Sequence, residues 1–299
     1  MELFDLSSSF IKVRDEFKKI QNEISDAVQS WGEVEFLQDL WTYEKGDGGG
    51  DTRVWEQAHL LEKGGVNFSA ICGAQLPAVA LKSGLDQSNG FCATGVSLVF
   101  HPHNPFVPTI HMNIRYFESG SSWWFGGGMD LTPYYTERSD IVDFHKVLKS
   151  ICDKNGEDYF FHKKSCDEYF YLPHRQETRG VGGLFCENLR GDFEQRFQFI
   201  CDLGRSLIVA YQPFIAKYSQ KVYTTQEREF QLWRRSRYVE FNLLFDRGTH
   251  FGIQSEGRTE SILMSMPAQA IWKYNYKPES GTRDAELWEY LHAQDWIVD

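Results

Sequence analysis

The segment 97–133, SLVFHPHNPFVPTIHMNIRYFESGSSWWFGGGMDLTP, constrains this chain more than any other. Within it His111, Asn113 and Arg115 alternate with Met112, Ile114 and Tyr116. On a β-strand, period-two spacing turns the first three toward one face and the other three toward the opposite face. A proton carrier, an amide and a guanidinium then converge on one small patch. That patch suits an anionic substrate held beside an acid–base group, so the chain reads as an enzyme. Pro102, Pro105 and Pro108 force an extended, non-helical connection between the β-rich stretch 96–100 and the alternating stretch 109–117.

Helical periodicity frames this segment. Phe10, Val13, Phe17, Ile20, Ile24, Val28 and Trp31 recur at three- and four-residue steps, the apolar stripe of an amphipathic helix, and Gly32 stands where its C-terminal cap belongs. Ser139 can cap a helix running to about Lys154. Asp192 and Gln195 resemble a capping box that opens a helix toward Tyr211, stopped near Pro213. GDGGGDTRV, at 46–54, reads as a loop, and Gly64-Gly65 as another turn. The stretch 237–245 alternates strongly and reads as a strand, with 251–254 and 261–266 pairing with it as a meander. A closing helix is expected over 283–297. With no internal repeat, low-complexity segment or linker, the simplest arrangement is one α+β domain over 1–299, an antiparallel sheet flanked by helices.

Composition bounds the partners. A net charge of −11 over 299 residues repels nucleic acid at long range, so an anionic ligand needs a local basic cluster. Arg234, Arg235, Arg237, Arg247 and Arg258 supply one in sequence. No apolar run is long enough to span a bilayer. The N-terminus has acidic residues and no apolar signal core, which points to the cytoplasm. The six cysteines form no C-x-x-C pair and read as reduced thiols.

Several motifs carry chemistry. His101-Pro102-His103 has the spacing of two metal ligands on a strand face, and Gly95 completes a cupin-like G-x5-H-x-H. The glutamate that motif needs is replaced by Val107 and Pro108. His145 shares a helix face with Ile141, Leu148 and Cys152 and reads as a core histidine. His174, beside Arg175, Glu177 and Arg179, suits a salt-bridged turn as well as a site. Gly126-Gly127-Gly128 lets backbone approach closely and delivers Asp130, a carboxylate whose pKa burial could tune. Trp123 and Trp124 read as core. Arg258, in a tight glycine turn, is placed to clamp a carboxylate bidentately. There is no nucleophile elbow, phosphate-binding loop or complete dinucleotide fingerprint. Proton transfer plus anion binding remains.

Longer motifs carry a resemblance. KKSCDEYFYLPHRQETRGVGGLF, VSLVFHPHNPFVPTIHMNIRYF, WWFGGGMDLTPYY and RRSRYVEFNLLFDRGTHFGIQSEGRTESILMSMP closely resemble the oxygen-dependent coproporphyrinogen III oxidase family, and the likeness runs nearly end to end. Ser165 stands where that family usually has tryptophan, and Cys186-Glu187 replaces its usual Phe-Asp.

The resemblance implies a large antiparallel sheet with helices on both faces, and a homodimer joined through the strand region at about 238–274. It implies oxidative decarboxylation of two propionates of coproporphyrinogen III to vinyls, giving protoporphyrinogen IX in haem biosynthesis. Molecular oxygen is then the co-substrate, carbon dioxide and hydrogen peroxide leave, and no organic cofactor is needed. Ser97, Asn113, Ile114, Arg115 and the turn Glu256-Gly257-Arg258 match substrate contacts. His111 matches the proton donor, and Asp130, with Arg115, matches the catalytic set; Asp246 is a second carboxylate candidate. Asp130 is then expected to engage the pyrrole N–H groups. His101, His111, His145 and His174 match histidines assigned in bacterial members to a divalent metal. A cupin-like metal oxygenase and a non-catalytic porphyrin-binding protein are the alternatives.

Overall fold

The alternation in the central segment builds the middle of a sheet. The computed structural model describes residues 6–32, 35–75, 90–254 and 258–297. Strands β4 (Phe91–Pro102), β5 (Thr109–Ser119) and β6 (Ser122–Thr132) follow one another through the segment. They join β1 (Leu37–Thr42), β2 (Gly46–Glu56), β3 (Leu61–Gly73) and β9 (Gly183–Leu189). Among the described residues these seven form one antiparallel sheet in the order β1-β2-β3-β4-β5-β6-β9. The short strands β7 (Tyr171–Leu172) and β8 (Glu177–Thr178) pair separately. The sheet is open rather than closed, so the G-x5-H-x-H spacing does not belong to a cupin barrel.

One face of the sheet is apolar, and it is the face that Met112, Ile114 and Tyr116 share. Helix α1 (Ser8–Ser30) covers it, with Phe10, Val13, Phe17, Ile20, Ile24 and Val28 all buried. Each fully buried side chain of this kind is worth about 1.5–3 kcal/mol. The Ser7 hydroxyl caps α1 by accepting from the Phe10 N–H at 2.9 Å. Gln21 ties the helix to the sheet, donating to the carbonyls of Asp51 and Val66 at 2.7 and 3.0 Å. Helix α4 (Phe193–Tyr218) packs beside α1. Behind it lies α2 (Arg138–Asn155), and α3 (Tyr159–Tyr169) packs on β9.

The other face is covered by α5 (Thr225–Leu244), α6 (Arg247–Gln254) and α7 (Thr259–Leu263). The strand expected at 237–245 is therefore the second half of α5, and the expected meander is α6 and α7. Thr224 and Glu227 form a reciprocal capping box that starts α5. The helix then buries Gln231, Arg234, Arg235, Ser236, Arg237, Glu240 and Asn242 alongside its aromatic residues. Arg234 pairs with Glu177 at 2.8 Å, and Arg235 with Glu62. Polar residues are buried by pairing here, so hydrophobic period no longer reports which face is inside. Arg234 and Arg235, two of the sequence cluster, are thus held by partners within the fold.

Other boundaries shift for local reasons. GDGGGDTRV lies within β2 and Gly64-Gly65 within β3, not in loops. Gly50 leaves room for the Trp41 ring and Gly65 for the Met264 side chain. Helix α4 passes through Pro213, and Val209, whose carbonyl loses its helical donor there, is exposed. Asp192 caps α4 by accepting from the Gln195 N–H, but the Gln195 side chain bonds the Asn155 carbonyl and joins α4 to α2. The tail holds one helical turn, α8 (Arg283–Glu286), and a 3-10 turn rather than a helix to 297. Trp296 anchors it by donating to the Val181 carbonyl at 2.9 Å.

Cys72 and Cys92 stand directly opposite on β3 and β4, with Cα atoms 4.1 Å apart, and form a disulfide. The expectation of six thiols gives way to four, Cys152, Cys166, Cys186 and Cys201, all buried. Among the described residues, no helix is long and apolar enough to cross a membrane.

Phe17 is fully buried under the sheet. Phe17→Ala should cost about 3–5 kcal/mol of unfolding free energy in urea titration. A loss under about 1 kcal/mol would mean that α1 is not seated on the sheet as described.

Candidate active site

Register brings the polar residues of three strands together. In an antiparallel pair, directly opposed residues point to the same face. Ser97 opposes Asn113, and His111 opposes Asp130. Arg115 opposes Gly95 on one side and Gly126 on the other. A Cβ on Gly126 would lie 3.0 Å from the Arg115 Nε, so glycine lets the guanidinium lie flat across β6.

These side chains line a cavity of about 960 Å³ between the sheet and the helices over it. Its floor includes Ser97, His111, Asn113 and Arg115. Its walls include Trp124, Tyr169, Phe170, Arg179 and Phe185, and its roof Asn242, Asp246, Arg247 and Ser265. A concave site of this size, with aromatic side chains along its walls and convergent polar groups on its floor and roof, suits a polar small molecule.

Asp130 does not line this cavity. Its carboxylate is 2% exposed and enclosed by partners. The Arg179 Nη2 donates to both oxygens, at 2.8 and 2.7 Å, and His111 Nδ1 donates to Oδ1 at 2.8 Å. Burial pushes the Asp130 carboxyl up, but the Arg179 charge and the His111 contact outweigh it and hold the pKa below the ordinary aspartate value. Arg179 is equally buried, held over Phe170, Tyr238 and Phe241, and donates to Asn242 Oδ1 at 2.9 Å. Asp130 thereby fixes the proton of His111 on Nδ1 and leaves Nε2 without a partner among the described residues.

Asp246 is a carboxylate on the roof of the cavity, as Glu187 is at its rim. It accepts from the Tyr169 hydroxyl at 2.8 Å and from the Thr249 N–H and hydroxyl at 2.7 and 2.8 Å. Burial raises its pKa, yet these donors prevail and keep it low, so it is an anion at neutral pH. At the rim, Arg115 donates to Asn113 Oδ1 at 2.9 Å.

Other expected site residues lie elsewhere. The Ile114 side chain points into the core under α4, because it alternates out of phase with Asn113 and Arg115. Arg258 pairs with Asp39 on β1 and is not part of the cavity lining. Glu256 and Gly257 lie outside the described residues. Among the described residues, no three His, Cys, Asp or Glu side chains gather as a metal site would require.

The four histidines expected as ligands sit in four different settings. His101 Nε2 donates to the Ser265 carbonyl at 2.9 Å, and Nδ1 meets the Thr109 hydroxyl at 3.2 Å. His145 Nε2 donates to the Val181 carbonyl, and its Nδ1 accepts from the Tyr159 hydroxyl. Burial pushes the His145 pKa down to about 3, as suits a neutral core histidine. His174 bonds Glu240. With His111 on Asp130, these residues do not fit a shared divalent ion, and no step is derived through one.

Read from sequence, Arg179 and Trp124 have no site role, and Arg247 has only a place in the basic cluster. Arg179 reads as part of a salt-bridged turn because its partner Asp130 is forty-nine residues away. Trp124 reads as core, yet it stacks on Phe117 at 4.3 Å and lines the cavity, while Trp123 packs on Phe193.

The family model for coproporphyrinogen III oxidase matches residues 12–296. A Dictyostelium discoideum protein named oxygen-dependent coproporphyrinogen-III oxidase is 50% identical over 312 aligned residues, covering 96% of this chain and 94% of the relative.

Removing one member of a buried ion pair strands the other. Asp130→Ala should therefore lose about 3–5 kcal/mol of stability at pH 7. Because the folded pKa of Asp130 is depressed, its contribution is fully present above the ordinary value of 3.8 and fades as pH falls below it. Denaturant titrations of both proteins at pH 7 and in that acid window check this. Equal stability at pH 7 would contradict the geometry.

Proposed function

The chain belongs to the coproporphyrinogen III oxidase family, and on that premise we propose that it decarboxylates two propionates of coproporphyrinogen III to vinyls, giving protoporphyrinogen IX for haem synthesis. It is an oxidoreductase with molecular oxygen as acceptor. Each turn at one propionate removes the carboxylate as carbon dioxide and a hydrogen from the carbon next to the ring. The two electrons released pass to oxygen, which leaves with two protons as hydrogen peroxide. A porphyrinogen has electron-rich pyrroles that react with oxygen directly, so this chemistry calls for no organic cofactor.

The observation that carries this proposal is the cavity itself, with an oriented imidazole, an accessible carboxylate, rim arginines and aromatic walls. Asp246, rather than the enclosed Asp130, is assigned to accept hydrogen bonds from pyrrole N–H groups and so raise the ring's electron density. His111 Nε2 exchanges the proton, and Asp130 orients it. Arg115 and Arg247 take the propionates, with Ser97 and Asn113 beside them. A tetrapyrrole lying against the aromatic walls would displace water from the floor, which strengthens the contacts made there. The family resemblance also assigns Glu256, Gly257 and Arg258 as substrate contacts.

The active form is proposed to be a cytoplasmic homodimer joined through 238–274, whose described residues are helix and loop rather than strand. Leu243, Leu244, Trp272 and Tyr274 are exposed there and offer apolar contact area. Light scattering in solution checks it, and a mass equal to one chain would contradict it.

An aerobic assay tests the activity. Chromatography should show conversion of coproporphyrinogen III to protoporphyrinogen IX with oxygen uptake, and none under nitrogen. Asp246→Asn should lower kcat by about 100-fold or more. Tight binding of the tetrapyrrole with no aerobic conversion would instead favour a carrier.

A further inference from the structure

Glu187 lies on β9 at the rim of the cavity, two residues beyond Phe185 and on the same face. It holds two arginines at once. Its Oε2 accepts from Arg247 Nη2 at 3.0 Å, and its Oε1 meets Arg115 Nη2 at 3.4 Å. Arg115 reaches it from the floor, on β5, and Arg247 from the roof, at the start of α6. One carboxylate thus links the two walls at the point where a ligand enters.

The charges of the site explain why such a link is needed. The deep cation, Arg179, is matched by Asp130. Arg115 and Arg247 sit at the rim with side chains 39% and 61% exposed, and Glu187 is their shared anion. A ligand carrying four carboxylates must pair with these two arginines to be held, and Glu187 occupies them first. All three side chains are partly in water and the Arg115 contact is long, so each pair is weak and readily exchanged.

We propose that Glu187 is a displaceable counter-ion that occupies the propionate clamp between turnovers. Binding exchanges it for substrate carboxylates. When a propionate becomes a vinyl, the arginine that held it loses its partner, and Glu187 is the anion at hand to take it back. The resident carboxylate then weakens binding of the substrate in return for clearing the clamp. This rests on the tetrapyrrole reading of the cavity.

The test is affinity for coproporphyrin III, the unreactive aromatic form of the four-carboxylate ligand, measured by fluorescence quenching. Glu187→Gln should bind it about three- to tenfold more tightly than the wild type at low salt, the combined effect of removing two weak ion pairs. The gain should shrink at high salt, and shrink again with protoporphyrin IX, which has two carboxylates. Glu187→Asp, which keeps the charge, should stay near the wild type. Unchanged or weaker binding by Glu187→Gln would overturn the proposal and leave Glu187 as a support for the arginines. Wild-type protein that binds coproporphyrin but converts no coproporphyrinogen in air would overturn the oxidase reading alone, because the binding comparison still decides the role of Glu187.

Discussion

The buried pair between Asp130 and Arg179 is the interaction on which the rest of the site depends. Both side chains are 2% exposed. Taking two such charges out of water costs several kcal/mol per ion, so the pair persists only with good geometry and further hydrogen bonds. It has them. Arg179 holds both carboxylate oxygens and also donates to Asn242, while His111 donates to the same carboxylate. Four elements meet there: β5, β6, the turn after β8, and α5. The pair therefore fastens the helical roof to the sheet floor and sets the orientation of the imidazole between them.

Sheet alternation determines which chemistry faces the cavity. The floor is polar because His111, Asn113 and Arg115 share a face, and it is flat because Gly126 adds no side chain beneath Arg115. The opposite face spends every second residue on the core with α1 and α4. A one-residue slip of β5 would exchange these faces, placing Ile114 in the cavity and Arg115 in the core. The long paired register from β3 through β6 guards against that slip.

Much of this was legible in the sequence where one physical signal dominated. The apolar stripe of α1 and the alternation of β5 both report burial directly, and both held. His145 was legible as a core residue for the same reason. Helix α5 was not legible, because Arg234, Arg235 and Glu240 are buried by ion pairing and hide the helical period. Strand β2 was not legible because its glycines serve neighbours, such as Trp41, that are brought close only by folding. In the site, adjacency on one strand revealed His111 and Arg115. Contacts across long sequence separations concealed Arg179, and only the fold decides that Asp130 is enclosed while Asp246 faces the cavity.

The central claim is that Asp130 acts through His111 rather than on the substrate. Nitrogen NMR of protein labelled at histidine reads it directly, because the shifts of the two ring nitrogens distinguish the tautomers. In the wild type at neutral pH, the proton of the neutral His111 ring should sit on Nδ1, leaving Nε2 bare. In Asp130→Asn that preference should be lost. A wild-type ring protonated on Nε2, or a tautomer unchanged by the substitution, would contradict the account.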